Sequence, residues 1–320
     1  MTRRAHRGAA LLAAMLTVTL VATFAAASVW HQWRSAEVEG ADRMRVQSGW
    51  ILGGALDWAR LILREDARAG NADHLAEPWA VPLQEARLAT FLAADRNVSV
   101  EGSDSANIFL SGQIADLQAK LNVTSLLQAG TQSQLQREVF NRLFDALGLP
   151  RQQLETMAAN LQFAADLSTE NLSAKRAPLM PNRLEQLQWL GLAPETIAAL
   201  EPHVTVLPVR TLLNLNTASA EAIYAAGQGI DMADAQKLVA VRQAQYFRSV
   251  NEAAALTKAP TAFANTAGVS SQFFEVRGRL RIDNVVIEER SVVQRTGLDI
   301  RIVTRERGAA ESPPQATARK

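Results

Sequence analysis

The chain has 320 residues, 48% hydrophobic and 20% charged, enough apolar material for a packed core in one or two domains. Thirty-three basic side chains face thirty-two acidic ones, and a net charge of +1 argues against polyanion binding by bulk charge. With no cysteine, a disulfide framework, a thiolate metal site and a cysteine nucleophile are excluded; the four histidines, His6, His31, His74 and His203, stand at no ligand spacing.

Ala9 to Trp30 carries no charge and follows Arg3, Arg4, His6 and Arg7. That length matches the apolar thickness of a bilayer, and the arginines ahead of it predict a cytoplasmic N-terminus with the body outside. Three readings fit: a cleaved secretory signal with Ala25-Ala26-Ala27 at its cleavage site, a permanent single-pass anchor, or a short basic leader cut between Gly8 and Ala9. The residues beyond favour the last. Met44, Ser48, Ile51, Ala55, Trp58 and Ile62 recur at helical spacing, no proline intervenes before Pro78, and one helix is predicted from about Ala9 to about Arg68. At about 1.5 Å per residue it would be roughly 90 Å long. Trp30, Trp33, Trp50 and Trp58 suit interface anchoring and core packing.

Gly70-Asn71-Ala72-Asp73 breaks the helix, and the prolines of Glu77-Pro78-Trp79-Ala80-Val81-Pro82 demand extended chain. A short helix is expected over 83–94, followed by short strands at 98–100, 107–111 and 113–121, with turns near Asp104 and Gly112. Near the C-terminus, Phe273 to Ile282, Val285 to Gln294 and Leu298 to Thr304 alternate around Asp283-Asn284 and Thr296-Gly297, predicting a three-stranded meander. From Gly308 the residues read as a disordered tail.

Between these β regions the pattern is helical: 134–147, 152–166, 184–190, 194–200, 220–226, 232–244 and 250–256, each bounded by Gly, Pro or a capping residue. Leu213-Asn214-Leu215-Asn216-Thr217-Ala218-Ser219 leads into two helices joined by Gly227-Gln228-Gly229-Ile230, which resembles a helix–hairpin–helix module whose amides hold phosphate in membrane-anchored DNA receptors. Arg210, Lys237, Arg242, Arg248 and Lys258 stand against Glu221, Asp231, Asp234 and Glu252 there, and the two aspartates sit where a phosphate would approach. A packing module is the better reading.

Taken together, Arg7-Gly8 before the apolar segment, Glu77-Pro78-Trp79-Ala80, the Asp116 to Asn122 region, Leu213-Asn214-Leu215-Asn216-Thr217-Ala218 and Ser271-Gln272-Phe273-Phe274 resemble the K-type minor pseudopilin of the type II secretion system over nearly the whole chain. The resemblance implies an α+β, pilin-like fold with a long N-terminal transmembrane helix and an antiparallel sheet, interrupted by a large inserted all-α domain. The expected division is a basic prepilin leader (1–8), the transmembrane half of the helix (9–30), periplasmic helix and first strands (31–123), an inserted α domain with a helix–hairpin–helix part (124–268), a β-meander (269–307) and the tail (308–320).

The same resemblance implies cleavage by prepilin peptidase at Gly8–Ala9 with methylation of the new N-terminus, residence in the inner membrane, and I-type and J-type minor pseudopilins and other pseudopilus subunits as partners. Ala13, Ala14, Thr17 and Ala22 are small residues suited to close helix packing in the membrane. Ala13 would be the fifth mature residue, where most pilins carry a glutamate; members of this family lack it and are thought to cap the tip and help start assembly. Glu77, Pro78, Trp79, Asn214, Asn216 and Thr217 carry structural motifs. Relatives often bind calcium through an acid-rich segment of the insertion; between Thr156 and Leu184 only Asp166 and Glu170 are acidic. They could contribute to a calcium site with Asn171 and carbonyls, but a solvated loop is the simpler reading and no cofactor is expected. No nucleophile elbow, phosphate loop or carboxylate pair suggests an enzyme. The alternative function is a membrane-tethered DNA receptor using residues 213–252; no nucleic-acid partner is expected on the main reading.

Overall fold

The computed structural model describes residues 7–93, 107–166, 168 and 174–309. Helix α1 spans Arg7–Ala69, as an Ala- and Leu-rich stretch without proline should, and Gly70 follows its last turn. The chain divides into two compact units, Met1–Gly54 and Ala55–Lys320. In the first, 63-residue α1 supplies the described structure; in the second, the end of α1 lies on a sheet interrupted by a helical insertion.

After a connection containing one 3-10 turn, Pro78–Ala80, come β1 (Leu83–Arg87) and α2 (Leu88–Ala93). The helix expected over 83–94 is thus wrong in its first half. Leu83–Arg87 instead takes up pairing with β2 (Ile108–Asp116), Ala86 against Leu110 and Arg87 against Phe109, and tertiary pairing overrides weak local propensity. Residues 98–100 lie outside those described. Strand β2 is also one strand where two were expected. Gly112 makes no turn: it faces Gly278 across the sheet, and a Cβ there would lie 3.0 Å from the Arg277 carbonyl, so its missing side chain serves close approach of two backbones.

The insertion then runs through β3 (Leu121–Asn122), α3 (Thr131–Ala146), α4 (Arg151–Ala165), a 3-10 turn at Leu184–Leu190, α5 (Pro194–Leu200), β4 (Val204–Thr205), β5 (Leu213–Asn214), α6 (Ala220–Ala226), α7 (Met232–Ala244), α8 (Val250–Ala255) and β6 (Ala267–Gly268). Ser219 and Ser249 cap α6 and α8, and Asp231 and Asp234 form a capping box on α7, which is why these short helices start where they do. Their apolar faces merge in one core containing Phe140, Leu143, Phe144, Leu187, Ile223 and Phe263.

The chain returns to the sheet as β7 (Phe273–Ile282), β8 (Val285–Thr296) and β9 (Asp299–Ala309), in the spatial order β1-β2-β7-β8-β9, all antiparallel. Two-residue turns join the last three strands: Asp283-Asn284, and Gly297-Leu298 rather than Thr296-Gly297. Gly308 and Ala309 belong to β9, not to a tail, because they pair with Glu288 and Ile287. Residues 310–320 lie outside those described.

Within the second unit, Leu56, Ala59 and Leu63 of α1 pack with Trp79, Phe274, Val276, Val293 and Ile300. The buried stripe is rotated by about one residue from the expected one, and Trp58 is 51% exposed. Trp50 is 79% exposed, so neither tryptophan is core; the core tryptophan is Trp79, edge-on to Phe274 with ring centres 5.3 Å apart.

Candidate functional site

Three places hold the residues singled out from the sequence. The first is the head of α1. Gly8 and Ala9 lie in its first turn. Ala13, Ala14, Thr17 and Ala22 are exposed along it, and the Thr17 hydroxyl donates to the Ala14 carbonyl at 2.9 Å, so the polar side chain is satisfied within the helix. At about 100° per residue, Ala22 is turned about half a circle from Ala13, so the four residues make no single stripe. Among the described residues this is the one helix with an 18-residue window apolar enough to cross a bilayer, at a mean hydropathy of 2.2.

The second place is the seam where the insertion joins the sheet, and it collects residues from six segments. Asp116, at the end of β2, is buried. Its carboxylate accepts from the Gln118 amide (2.7 Å), the Asn214 amide nitrogen (3.0 Å), the Thr217 hydroxyl (2.6 Å) and the Ser271 hydroxyl (2.7 Å). Burial pushes its pKa up, opposed by the hydroxyls of Ser271 and Thr217 and the Gln118 amide. Asn214 spends its side chain fully, donating to the Asp73 carbonyl (3.1 Å), Asp116 and Ser271 and accepting from the Asn216 amide. Asn216 in turn clasps the backbone of Phe247 through both its amide atoms, at 2.9 and 2.8 Å. The Leu-Asn-Leu-Asn-Thr run is therefore a fastener: leucines into the helical core, Asn214 and Thr217 into the seam, and Asn216 onto the insertion's own backbone.

Next to it stands the connection after α1. The Glu77 carboxylate accepts from the His74 amide (2.8 Å) and the Trp79 indole (2.7 Å), which orients Trp79 into the sheet core; Pro78 sits at the start of the 3-10 turn, where its missing N–H costs nothing. Arg295 of β8, which the sequence did not single out, donates to Asp66 (2.8 Å), to Asp73 and to the Ser271 carbonyl (2.9 Å), and its guanidinium lies 4.8 Å from the Phe274 ring centre. Asp73 also receives the Ser271 amide at 2.6 Å. Asp66, Asp73 and Glu77 bring one oxygen each within 4.8 Å of one another, and the cation facing them is this guanidinium. Asp73 and Arg295 were missed because each looks like an ordinary polar residue beside a turn; the available signal was Arg295 falling on the inward-facing row of β8, two residues from Val293.

The third place is the insertion's outer loops. Asp166 caps the end of α4, and the Ser168 hydroxyl, with the Ser168 amide donating at 3.0 Å, holds its carboxyl below the usual range. Glu170 lies outside the described residues. Calcium takes six to eight oxygens, usually several carboxylates, and among the described residues of this loop Asp166 alone offers one. In the hairpin, the Gln228 amide is bonded to the Ala262 carbonyl, and a Cβ at Gly227 would meet Ile230 and Phe263, so the glycine serves packing. Arg242 points inward, donating to the Leu215 carbonyl at 2.6 Å, and burial lowers its pKa to about 10. These groups are committed to the fold rather than to a phosphate.

Two family models, both described as type II secretion system protein K, match residues 119–209 and 213–272, the helical insertion and its seam. Proteins named type II secretion system protein K from Pseudomonas aeruginosa and Dickeya chrysanthemi are 26% and 25% identical, over 98% and 96% of this chain and 97% and 98% of theirs. The chain is thus similar to type II secretion system protein K along nearly its whole length. A chain of the crystal structure of the GspK-GspI-GspJ complex from enterotoxigenic Escherichia coli shares its fold, with a TM-score of 0.65 at 18% identity over 84% of this chain and 99% of that one. The match over 213–272 begins at the Leu-Asn-Leu-Asn-Thr fastener and ends beside Ser271, so it brackets one side of the seam.

Proposed function

We propose that this chain is a K-type minor pseudopilin that caps the tip of a periplasmic pseudopilus, helps to start its assembly, and thereby serves protein export across the outer membrane. The apolar head of α1 anchors it in the inner membrane with its N-terminus in the cytoplasm and its body in the periplasm; prepilin peptidase cuts between Gly8 and Ala9 and the new N-terminus is methylated. Its partners are the I-type and J-type minor pseudopilins, the counterparts of GspI and GspJ, which accompany GspK in the similar crystal structure.

The observation that carries the tip assignment is Ala13. A carboxylate in hydrocarbon is costly unless a neighbour's charge meets it, so a fifth mature residue without one suits a subunit with no subunit above it. The insertion between β2 and β7 supports the same reading, because its bulk would obstruct a further subunit on that side. Mass spectrometry of the mature chain from native membranes tests the pathway: a start at Ala9 with N-methylation is expected, and a start near Ser28 would replace it with ordinary secretion. Position is tested by crosslinking in assembled pseudopili, where this chain should be recovered with the I- and J-type subunits and not along the shaft.

A further inference from the structure

The connection after α1 holds more negative charge than its cation can balance. Asp66 from the last turn of α1, Asp73 and Glu77 from the connection, and Arg295 from β8 meet inside the second unit, three carboxylates to one guanidinium. Arg295 is paired with Asp66 and Asp73; Glu77 is not paired with it and holds only neutral donors, the His74 amide and the Trp79 indole. The other titratable groups beside the cluster are His74 and Asp116. Burial holds the His74 imidazole below its usual pKa, it lies 3.7 Å from Glu77, and its ring is stacked on Tyr246 at 3.9 Å. Asp116, from β2, adds a further buried carboxyl beyond Asp73.

Two carboxylates that close cannot both ionise cheaply out of water. Asp66 and Glu77 bring carboxyl oxygens within 4.8 Å of each other, and a proton on one of them relieves that repulsion. We propose that Asp66 and Glu77 share one proton, so that the junction between the end of α1 and the Glu77–Ala80 turn is a proton-held clasp, tight in mild acid and loosened as the proton leaves.

The electrostatics run the same way. Burial first, then the charge on Glu77, pushes Asp66 up to about 6, and burial raises Glu77 as well. A carboxyl that holds its proton more tightly folded than unfolded stabilises the fold fully below the ordinary carboxylate range. That contribution is lost as pH rises through about 6. This is the reverse of an ordinary ion-paired aspartate, which gains as pH rises. The clasp adds to the role proposed above and does not depend on tip position.

The test uses the full-length chain in detergent micelles, unfolded thermally between about pH 4.5 and pH 8. The wild type should lose a few degrees of Tm as pH rises through about 6, beyond the loss seen in Glu77→Gln and Asp66→Asn, whose amides supply a permanent donor. Asp57→Asn, at an exposed aspartate of the same helix, should keep the wild-type slope. Carboxyl carbon NMR of the wild type and Glu77→Gln reads the shared proton directly: Asp66 should titrate near 6 in the first and closer to an ordinary aspartate in the second. An Asp66 that titrates as an ordinary aspartate in the wild type, or a pH slope unchanged by Glu77→Gln, overturns the proposal.

Discussion

The helical insertion and the seam that fastens it to the sheet are both dry, yet they are held by opposite chemistry. The insertion core is leucine, phenylalanine and alanine from α3 to α8, with no direction built into any one contact. In the seam, Asp116, Asn214, Ser271, Asp73 and Arg295 are each committed to two or more partners in fixed geometry. Apolar packing tolerates exchange of similar volumes, whereas a satisfied polar network has one arrangement and loses heavily when a member is removed. The difference assigns stability of the insertion to its core, and its register on the sheet to the seam.

That contrast can be broken in graded steps. The largest effect is expected from Arg295→Ala, which leaves Asp66 and Asp73 without their cation and should cost about 3–5 kcal/mol in chemical denaturation of the full chain. Conservative exchanges should then separate the two regions. Asn214→Asp keeps the shape but turns a donor toward Asp116 into a second carboxylate, and a loss above about 2 kcal/mol is expected. Leu143→Met, equally conservative in the insertion core, should cost less than about 1.5 kcal/mol by the same measurement. Equal losses for these two would erase the distinction. Ser219→Ala is the smallest, removing the cap of α6 for about 1 kcal/mol, visible as reduced helical circular dichroism stability.

Much of this architecture was legible in local chemistry. Helices α6 and α7 begin and end where Ser219, Gly227, Asp231 and Gln245 place their caps, and the β7–β9 meander follows from alternation interrupted by short turn sequences. Errors fell where a distant partner decides. Leu83–Arg87 is a strand because β2 lies beside it, Gly112 looks like a turn until Gly278 faces it, and the stripe on α1 is set by which side Trp79 and Phe274 approach. Of the candidate residues, Asn214 and Thr217 stood out through their motif. Asp73 and Arg295 did not, since ion pairing across more than 200 residues of chain leaves no spacing to read.

The Ser271 to Asp116 hydrogen bond joins residues 155 positions apart, and β2 and β7 are neighbours in the sheet across that same gap. Closing so long a loop from an open coil is slow, because its entropy is lost before the strand pair returns anything. The insertion offers a way round: its contacts are nearer in sequence, and once folded it brings its two ends together as β3·β4 and β5·β6 draw in the flanking chain. Phe144→Ala should then slow refolding, while Val276→Ala in the sheet should mainly speed unfolding, a division that stopped-flow kinetics would reverse if the sheet formed first. A segment that looks like an interruption of the sheet would thus be the step that makes the sheet quick to assemble.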